Sequence, residues 1–411
     1  MRILFVSNFY PPHEIGGYAQ WCQEVALRMI QGGHIVHILT SRFRKQSVID
    51  TDPDWVTRLL HLQADINYYQ PLDFLLNWAS KESENIAILK RKISKFQPDI
   101  IMIWGMWNLS LNIPYNAEQL MPGRVTYYIA SYWPMDENLH GQYWRMPARN
   151  WYMNVIKYPL KMLALSKLNN SGYPPELNLE NSLCCSQFVR RTLVEANCLP
   201  TSARVLLGGI DPKPFIKGNR RSRNRDNSLH LVYFGRLVEA KGVHDAISAL
   251  NILYKKGLAN RVDLTIIGDG HPDYIQRLKS MVGDNGLQDK IRFIKWIPRD
   301  EIPRYLKQFD VYLFTSLWPE PMARSVMEAM AGCLLVIGSE VGGQVEMLDN
   351  NENALTYKAG DAEALANQIL RVINDPHLLE RLSKSGRELV LNIFNIDRMV
   401  NDIETYLASL V

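Results

Sequence analysis

Short runs of β-branched and aromatic residues alternate with helix-period patterns along almost the whole chain, and that alternation is the mark of parallel α/β architecture. In the first half, strands are expected at 2–7, 34–40, 99–104, 124–130 and 181–186. Between the first two lies Gly16-Gly-Tyr-Ala-Gln-Trp-Cys-Gln-Glu-Val-Ala-Leu-Arg-Met-Ile30, apolar at helical spacing and stopped by Gly32-Gly33. This is a βαβ unit. A second series of strands is expected at 229–234, 262–267, 291–295, 310–315 and 334–338, each followed by a helical pattern, with closing helices near 361–374, 376–389 and 395–410. The polar and basic run Lys217-Gly-Asn-Arg-Arg-Ser-Arg-Asn-Arg-Asp226 breaks the periodicity as an interdomain linker does.

The chain has 411 residues, more than one hydrophobic core usually serves, so two domains are expected: 1–205, a hinge over 206–226, and 227–393. Two doubly wound sheets bind a ligand at the carboxyl ends of their strands, in the cleft between them. A hydrophobic content of 47% with 21% charged residues excludes a disordered or fibrous chain. The five cysteines are scattered, with no Cys-x-x-Cys pair, which points to reduced thiols. Met1-Arg-Ile-Leu-Phe-Val-Ser7 reads as a buried strand rather than a signal peptide, and no later run is long and apolar enough to cross a bilayer. A cytoplasmic protein is therefore expected. A net charge of +4 is too small to imply nucleic acid.

Chemistry concentrates where strands end. Phe234-Gly-Arg-Leu-Val-Glu-Ala-Lys-Gly-Val243 places two cations, Arg236 and Lys241, between a strand and the next helix, a setting suited to a diphosphate or, more blandly, to an ordinary solvated loop. Gly16-Gly17 stand immediately before a helix, where amides approach an anion closely, or they only punctuate the loop that begins at Asn8. A G-x-G-x-x-G turn directly after the first strand is missing, which counts against an NAD-dependent oxidoreductase. Ile266-Ile-Gly-Asp-Gly270 ends a further strand in a turn. In Glu320-Pro-Met-Ala-Arg-Ser-Val-Met-Glu328 a helix is expected to start near Ala323. The amides of Met322, Ala323, Arg324 and Ser325 then lie at its mouth, with one acid before them and Glu328 one to two turns further in. Two acids beside amides and two cations suit a sugar joined to a nucleoside by a diphosphate.

Together these segments resemble the retaining glycosyltransferases of family 4, which have the two-Rossmann GT-B fold. The likeness rests on Phe234-Gly-Arg…Lys241-Gly, on Ile267-Gly-Asp-Gly with Gly268, and on Glu320…Glu328 as an E-x7-E motif. Ala329-Met-Ala-Gly332, Gly342-Gly343 with Glu346, and Gly360-Asp361 follow in the family's order. The resemblance implies that Gly17, Arg236 and Lys241 hold the diphosphate, that Gly16 belongs to the same nucleotide-sugar site, and that Glu328 binds the ribose. Glu320 and the amides from Met322 to Ser325 would position the donor sugar, with Glu320, Arg236 and Lys241 as the catalytic set. It implies a UDP-sugar donor, first of all UDP-glucose, no metal, retention of configuration, and a helix over 394–411 crossing back to the first domain. Two departures stand out. Pro321-Met322 replaces the usual Gly-Phe, and Ala130-Ser131 stands where a His-Asp pair commonly contacts the donor sugar, leaving His140, in a loop, or Asp136 as substitutes. That loss keeps a catalytically silent sugar-nucleotide sensor or scaffold as the alternative.

Between Asn138 and Pro175 there is no acid, yet Arg145, Arg149, Lys157, Lys161 and Lys167 alternate with Tyr143, Trp144, Trp151, Tyr152 and Tyr158. Such a stretch suits a saccharide or lipid-linked diphosphate acceptor, or peripheral contact with an anionic inner membrane face. It equally suits a helix with an aromatic core face and a solvated basic one.

Overall fold

Ile3 to Ser7 are buried without a break, as expected of a strand covered on both faces by helices. A computed structural model describes residues 1–13, 16–44, 52–148, 150–217, 228–258 and 260–411. The chain divides into unit 1, Met1–Leu206 with Val400–Val411, and unit 2, Leu207–Met399. Residues 218–226 of the expected linker, and Arg149 of the basic stretch, lie outside the described residues.

Unit 1 is built on β1 (Arg2–Ser7), β2 (Ile35–Ser41), β3 (Val56–Leu60), β4 (Ile100–Ile103), β5 (Val125–Ile129), β6 (Asn181–Cys184) and β7 (Arg204–Val205). They form one sheet in the order β3-β2-β1-β4-β5-β6-β7, and all its pairs are parallel. Unit 2 holds β8 (Leu229–Phe234), β9 (Val262–Ile267), β10 (Ile291–Ile294), β11 (Val311–Phe314), β12 (Leu335–Ser339) and β13 (Leu355–Tyr357). Their order is β10-β9-β8-β11-β12-β13, again all parallel. Both are doubly wound Rossmann-like α/β domains. Strand order reverses direction between β1 and β4 and between β8 and β11, the places where such sheets bind ligands.

Every expected strand forms, within a residue or two of its expected ends. Three strands went unread. In β3 the sequence Val-Thr-Arg-Leu-Leu carries a charge in its middle, and Arg58 is nonetheless buried. Its guanidinium is paired with Asp52 at 2.7 Å and donates to the carbonyls of Tyr10 and Pro11 at 3.0 and 2.7 Å, so the burial cost is offset by an ion pair and hydrogen bonds. The other two, β7 and β13, have only two and three residues, too short for a periodicity to register.

The core of unit 2 joins Leu231, Leu264, Val311 and Leu335 from the sheet to Ala246, Leu250 and Ile369 from its helices. Each large apolar side chain so buried contributes about 2 kcal/mol. Among the described residues, no helix is long and apolar enough to cross a membrane.

Candidate active site

At the switch point of unit 2 the loops after β8, β9 and β11 are fastened to one another through their backbones. Gly235 donates its N–H to Ile267 at 3.0 Å, and Leu237 donates to Asp269 at 2.9 Å. The two loops run so close that a β-carbon on Gly268, whose φ is +151°, would lie 1.9 Å from the carbonyl oxygen of Gly235. One on Gly270 would lie 2.0 Å from that of Leu237. The Gly-Asp-Gly turn is thus a demand of packing: only residues without a β-carbon let these loops touch.

The loop after β8 is also clamped to the one after β11. Thr315 Oγ1 donates to the Lys241 carbonyl at 2.7 Å, and Leu317 N–H donates to Ala240 at 2.8 Å. Gly242, at φ +59°, sits where a β-carbon would lie 2.1 Å from the Thr315 carbonyl oxygen. These contacts aim Lys241 at Glu320. The Lys241 ammonium forms an ion pair with Glu320 Oε1, which also accepts from Ser316 Oγ at 2.9 Å. The backbone of Glu320 is held in turn by Gly343, whose N–H donates to its carbonyl at 2.8 Å. Gly342, at φ +57°, leaves no room there for a side chain, since a β-carbon would come within 2.2 Å of the Glu320 carbonyl oxygen. Gly342-Gly343 therefore fix the acid.

Helix Arg324–Ala331 starts at the expected place, with Ala323 as its cap. One expectation is revised: the Ala323 amide is not open, because it donates to Oε1 of the buried Gln344 at 3.3 Å. Met322 is buried, and Ser325 Oγ accepts from Tyr312 Oη at 2.9 Å. One turn in, Glu328 is 3% exposed. It survives as a buried acid because Arg299 Nη2 donates to its Oε1 at 2.9 Å and Arg324 Nε lies 3.9 Å away. Arg324, expected to offer only its amide, thus contributes its side chain as well.

Arg236 is exposed, and its guanidinium lines a cavity of about 250 Å³ with Phe234, Gly268, Asp269, Trp296 and Tyr305. Trp296 is 69% exposed there. The cavity joins a flat aromatic wall to a cation and to strand-end backbone, a combination that accepts a planar ring on one side and an anion on the other.

Of the residues singled out from sequence, the structure gathers Arg236, Lys241, Gly268, Glu320, Met322, Ala323, Arg324, Ser325 and Glu328 around one strand-end edge of unit 2. Gly16, at φ +84°, and Gly17, the residue preceding helix Tyr18–Gln31, belong to unit 1. Sequence reasoning missed Arg299, Ser316, Trp296 and Gln344. Trp296 had a usable signal, standing two residues beyond β10 on the same edge as the other loops.

His140 is corrected. It does not stand in a loop but in helix Leu139–Arg145, wholly buried among Phe74, Trp78 and Tyr173. Its Nδ1 hydrogen-bonds Tyr69 Oη at 2.8 Å. Burial, aided by Lys81 and Lys167, pushes its pKa down to about 3 against the weaker pull of Asp73. It is a neutral core side chain closed to a sugar. Asp136 is exposed at the rim of another cavity of unit 1, lined by Trp107, Asn108, Trp133 and Gln142, and partial desolvation raises its carboxyl pKa.

Residues 216–389 match the family described as Glycosyl transferases group 1. The amylovoran biosynthesis glycosyltransferase AmsK of Erwinia amylovora is 33% identical over 205 residues, covering 48% of this chain and 49% of that protein. The UDP-Gal:alpha-D-GlcNAc-diphosphoundecaprenol alpha-1,3-galactosyltransferase of Escherichia coli is 27% identical over 220 residues, 52% of this chain and 55% of its own length. The chain thus spans about half the length of these curated relatives. Among solved structures, a glycosyltransferase from Rickettsia africae aligns over 100% of this chain and 98% of its own with a TM-score of 0.72 at 19% identity. Anabaena Alr3699/HepE in complex with UDP aligns over 100% of both chains, with a TM-score of 0.70 at 18% identity. Likeness at that level of identity is likeness of fold. The group 1 segment coincides with the strand-end edge that carries Arg236, Lys241 and both glutamates.

Proposed function

We propose that this chain is a retaining glycosyltransferase of family 4 that takes a sugar from a UDP-sugar, first of all UDP-glucose, and passes it to a saccharide or lipid-linked acceptor in polysaccharide or glycolipid assembly. The observation that carries the reading is the Lys241–Glu320 ion pair beside Arg236 at the β8/β11 switch point. Without ligand, Glu320 neutralises Lys241. When a diphosphate enters, Lys241 and Arg236 meet its charge, and Glu320 is released to accept hydrogen bonds from sugar hydroxyls. In this reading Glu328, anchored by Arg299, receives the ribose hydroxyls, and the base stacks on Trp296.

In the proposed reaction the bond between the anomeric carbon and the diphosphate oxygen breaks. The acceptor hydroxyl oxygen bonds that carbon on the same face, and its proton goes to the departing phosphate oxygen. Negative charge grows on the diphosphate as the bond lengthens. Cations already held there by backbone contacts stabilise that charge without reorganising, and no metal is called for. The names of the galactosyltransferase and of the UDP complex support a UDP-sugar and a lipid-linked acceptor.

A thermal-shift screen across UDP-, GDP- and ADP-sugars identifies the donor, and turnover is then measured on Arg236→Ala and Lys241→Ala. Each variant is expected to lose roughly a hundredfold or more in kcat, by analogy with removal of a charge-stabilising donor, while melting near the wild-type temperature. Undiminished turnover in both would discard the assignment. Donor binding without hydrolysis or transfer to any acceptor would instead mark a silent sensor.

A further inference from the structure

Helix Trp151–Asn170 turns an apolar face to solvent. Its buried residues are Ala164 and Leu168, in one core cluster with Phe74 and Trp78, and the half-buried Leu160 and Leu165 pack against that cluster. Lys167 Nζ donates to the Leu75 carbonyl at 2.8 Å, and Lys157 Nζ to those of Tyr143 and Met146 at 2.6 and 2.8 Å. At about 100° per residue, Trp151, Tyr152, Val155, Ile156, Tyr158 and Leu163 fall on an arc of roughly 160° centred opposite Ala164 and Leu168. They are 80, 51, 68, 59, 64 and 60% exposed. Helices on a globular domain ordinarily place such a stripe inward, so a contiguous outward one marks an interaction surface. Leu72 and Leu76, 66 and 77% exposed, add to the apolar surface of the neighbouring helix Pro71–Phe96, to which Lys167 is tied.

Charge decides the occupant. The only ionisable side chains in helix Trp151–Asn170 besides its tyrosines are lysines; Lys157 and Lys167 are tied to backbone carbonyls, and half-buried Lys161 lies beyond the edge of the arc. No carboxylate occurs between Asn138 and Pro175. A second copy would bring lysines against lysines, whereas lipid phosphates complement them. Trp151, Tyr152 and Tyr158 combine an apolar body with a polar tip, as suits headgroup depth. We propose that this face docks unit 1 on an anionic bilayer surface, the helix lying in the headgroup plane with its aromatic and aliphatic side chains in the acyl boundary and Lys161 reaching back to the phosphates. The inference stands apart from the donor site and does not depend on it.

The test is flotation of the full chain with phosphatidylcholine vesicles prepared with and without phosphatidylglycerol. Binding is expected on the anionic vesicles, weakened by salt and by Lys161→Glu. The combined variant Trp151→Ser, Ile156→Ser, Leu163→Ser alters only exposed positions. It is expected to keep the wild-type melting temperature and to lose at least about tenfold in vesicle affinity. The proposal is overturned if the wild type stays unbound at low salt, if it binds neutral vesicles equally well, or if the combined variant floats like the wild type. Light scattering that shows a dimer which the combined variant dissolves would assign the face to a second copy and sink it too.

Discussion

The strand-end edges of the two units share a topology but are built differently. In unit 2 the loops are locked by backbone contacts that tolerate only glycine, at Gly242, Gly268, Gly270 and Gly342, and this leaves the side chains of Arg236, Lys241, Glu320 and Trp296 out of the loop packing, as the proposed donor site requires. In unit 1 the edge is locked largely by side chains. Asn8 Nδ2 donates to the Trp107 carbonyl at 2.6 Å, while its Oδ1 accepts from Tyr18 Oη at 2.6 Å and from Phe9 N–H at 2.8 Å. Beyond that edge His140 is spent in an aromatic core. Polar side chains at a strand end stay available to a ligand where the backbone already carries the packing, and are consumed where they must carry it themselves.

The largest effect is expected at Gly268. Alanine there must adopt a left-handed φ and push a carbonyl aside, so Gly268→Ala is expected to destabilise unit 2 by about 3–4 kcal/mol. Chemical denaturation followed in unit 2 checks this, and an unchanged midpoint would show that the close loop approach is not required.

A smaller effect is expected from His140. Its folded pKa is depressed below the ordinary histidine value of 6.5, so below that value the unfolded chain binds more protons than the folded one. Stability is full above the ordinary value and falls as the pH drops toward the folded pKa. The loss is about 2 kcal/mol by about pH 5. His140→Phe is expected to flatten this acid slope. The same slope in the variant and the wild type would place the acid sensitivity elsewhere.

The least effect belongs to the aromatic wall of unit 2. Because Trp296 is largely exposed, Trp296→Ala is expected to leave stability unchanged and to weaken donor binding about tenfold. Calorimetric titration with the donor identified by thermal shift measures it. Unaltered affinity would remove Trp296 from the base site and leave the cations as the main source of binding.

The architecture, and the line-up of residues along the proposed donor edge, were legible in the order of residues alone. Buried parallel strands are continuous apolar runs whose signal is local, so both sheets were legible, and Arg236, Lys241, Glu320 and Glu328 were legible because they stand at fixed spacings from strand and helix ends. What only the tertiary structure decided was pairing across long separations. Nothing in the order of residues says that Lys241 meets Glu320, that Arg299 neutralises Glu328, or that Gln344 takes the Ala323 amide, because each pair is joined through sheet topology. Burial was likewise decided in three dimensions. His140 reads as a polar loop residue until Phe74, Trp78 and Tyr173 close over it, and the apolar stripe of helix Trp151–Asn170 reads as core until Ala164 and Leu168 are seen to occupy the inward face.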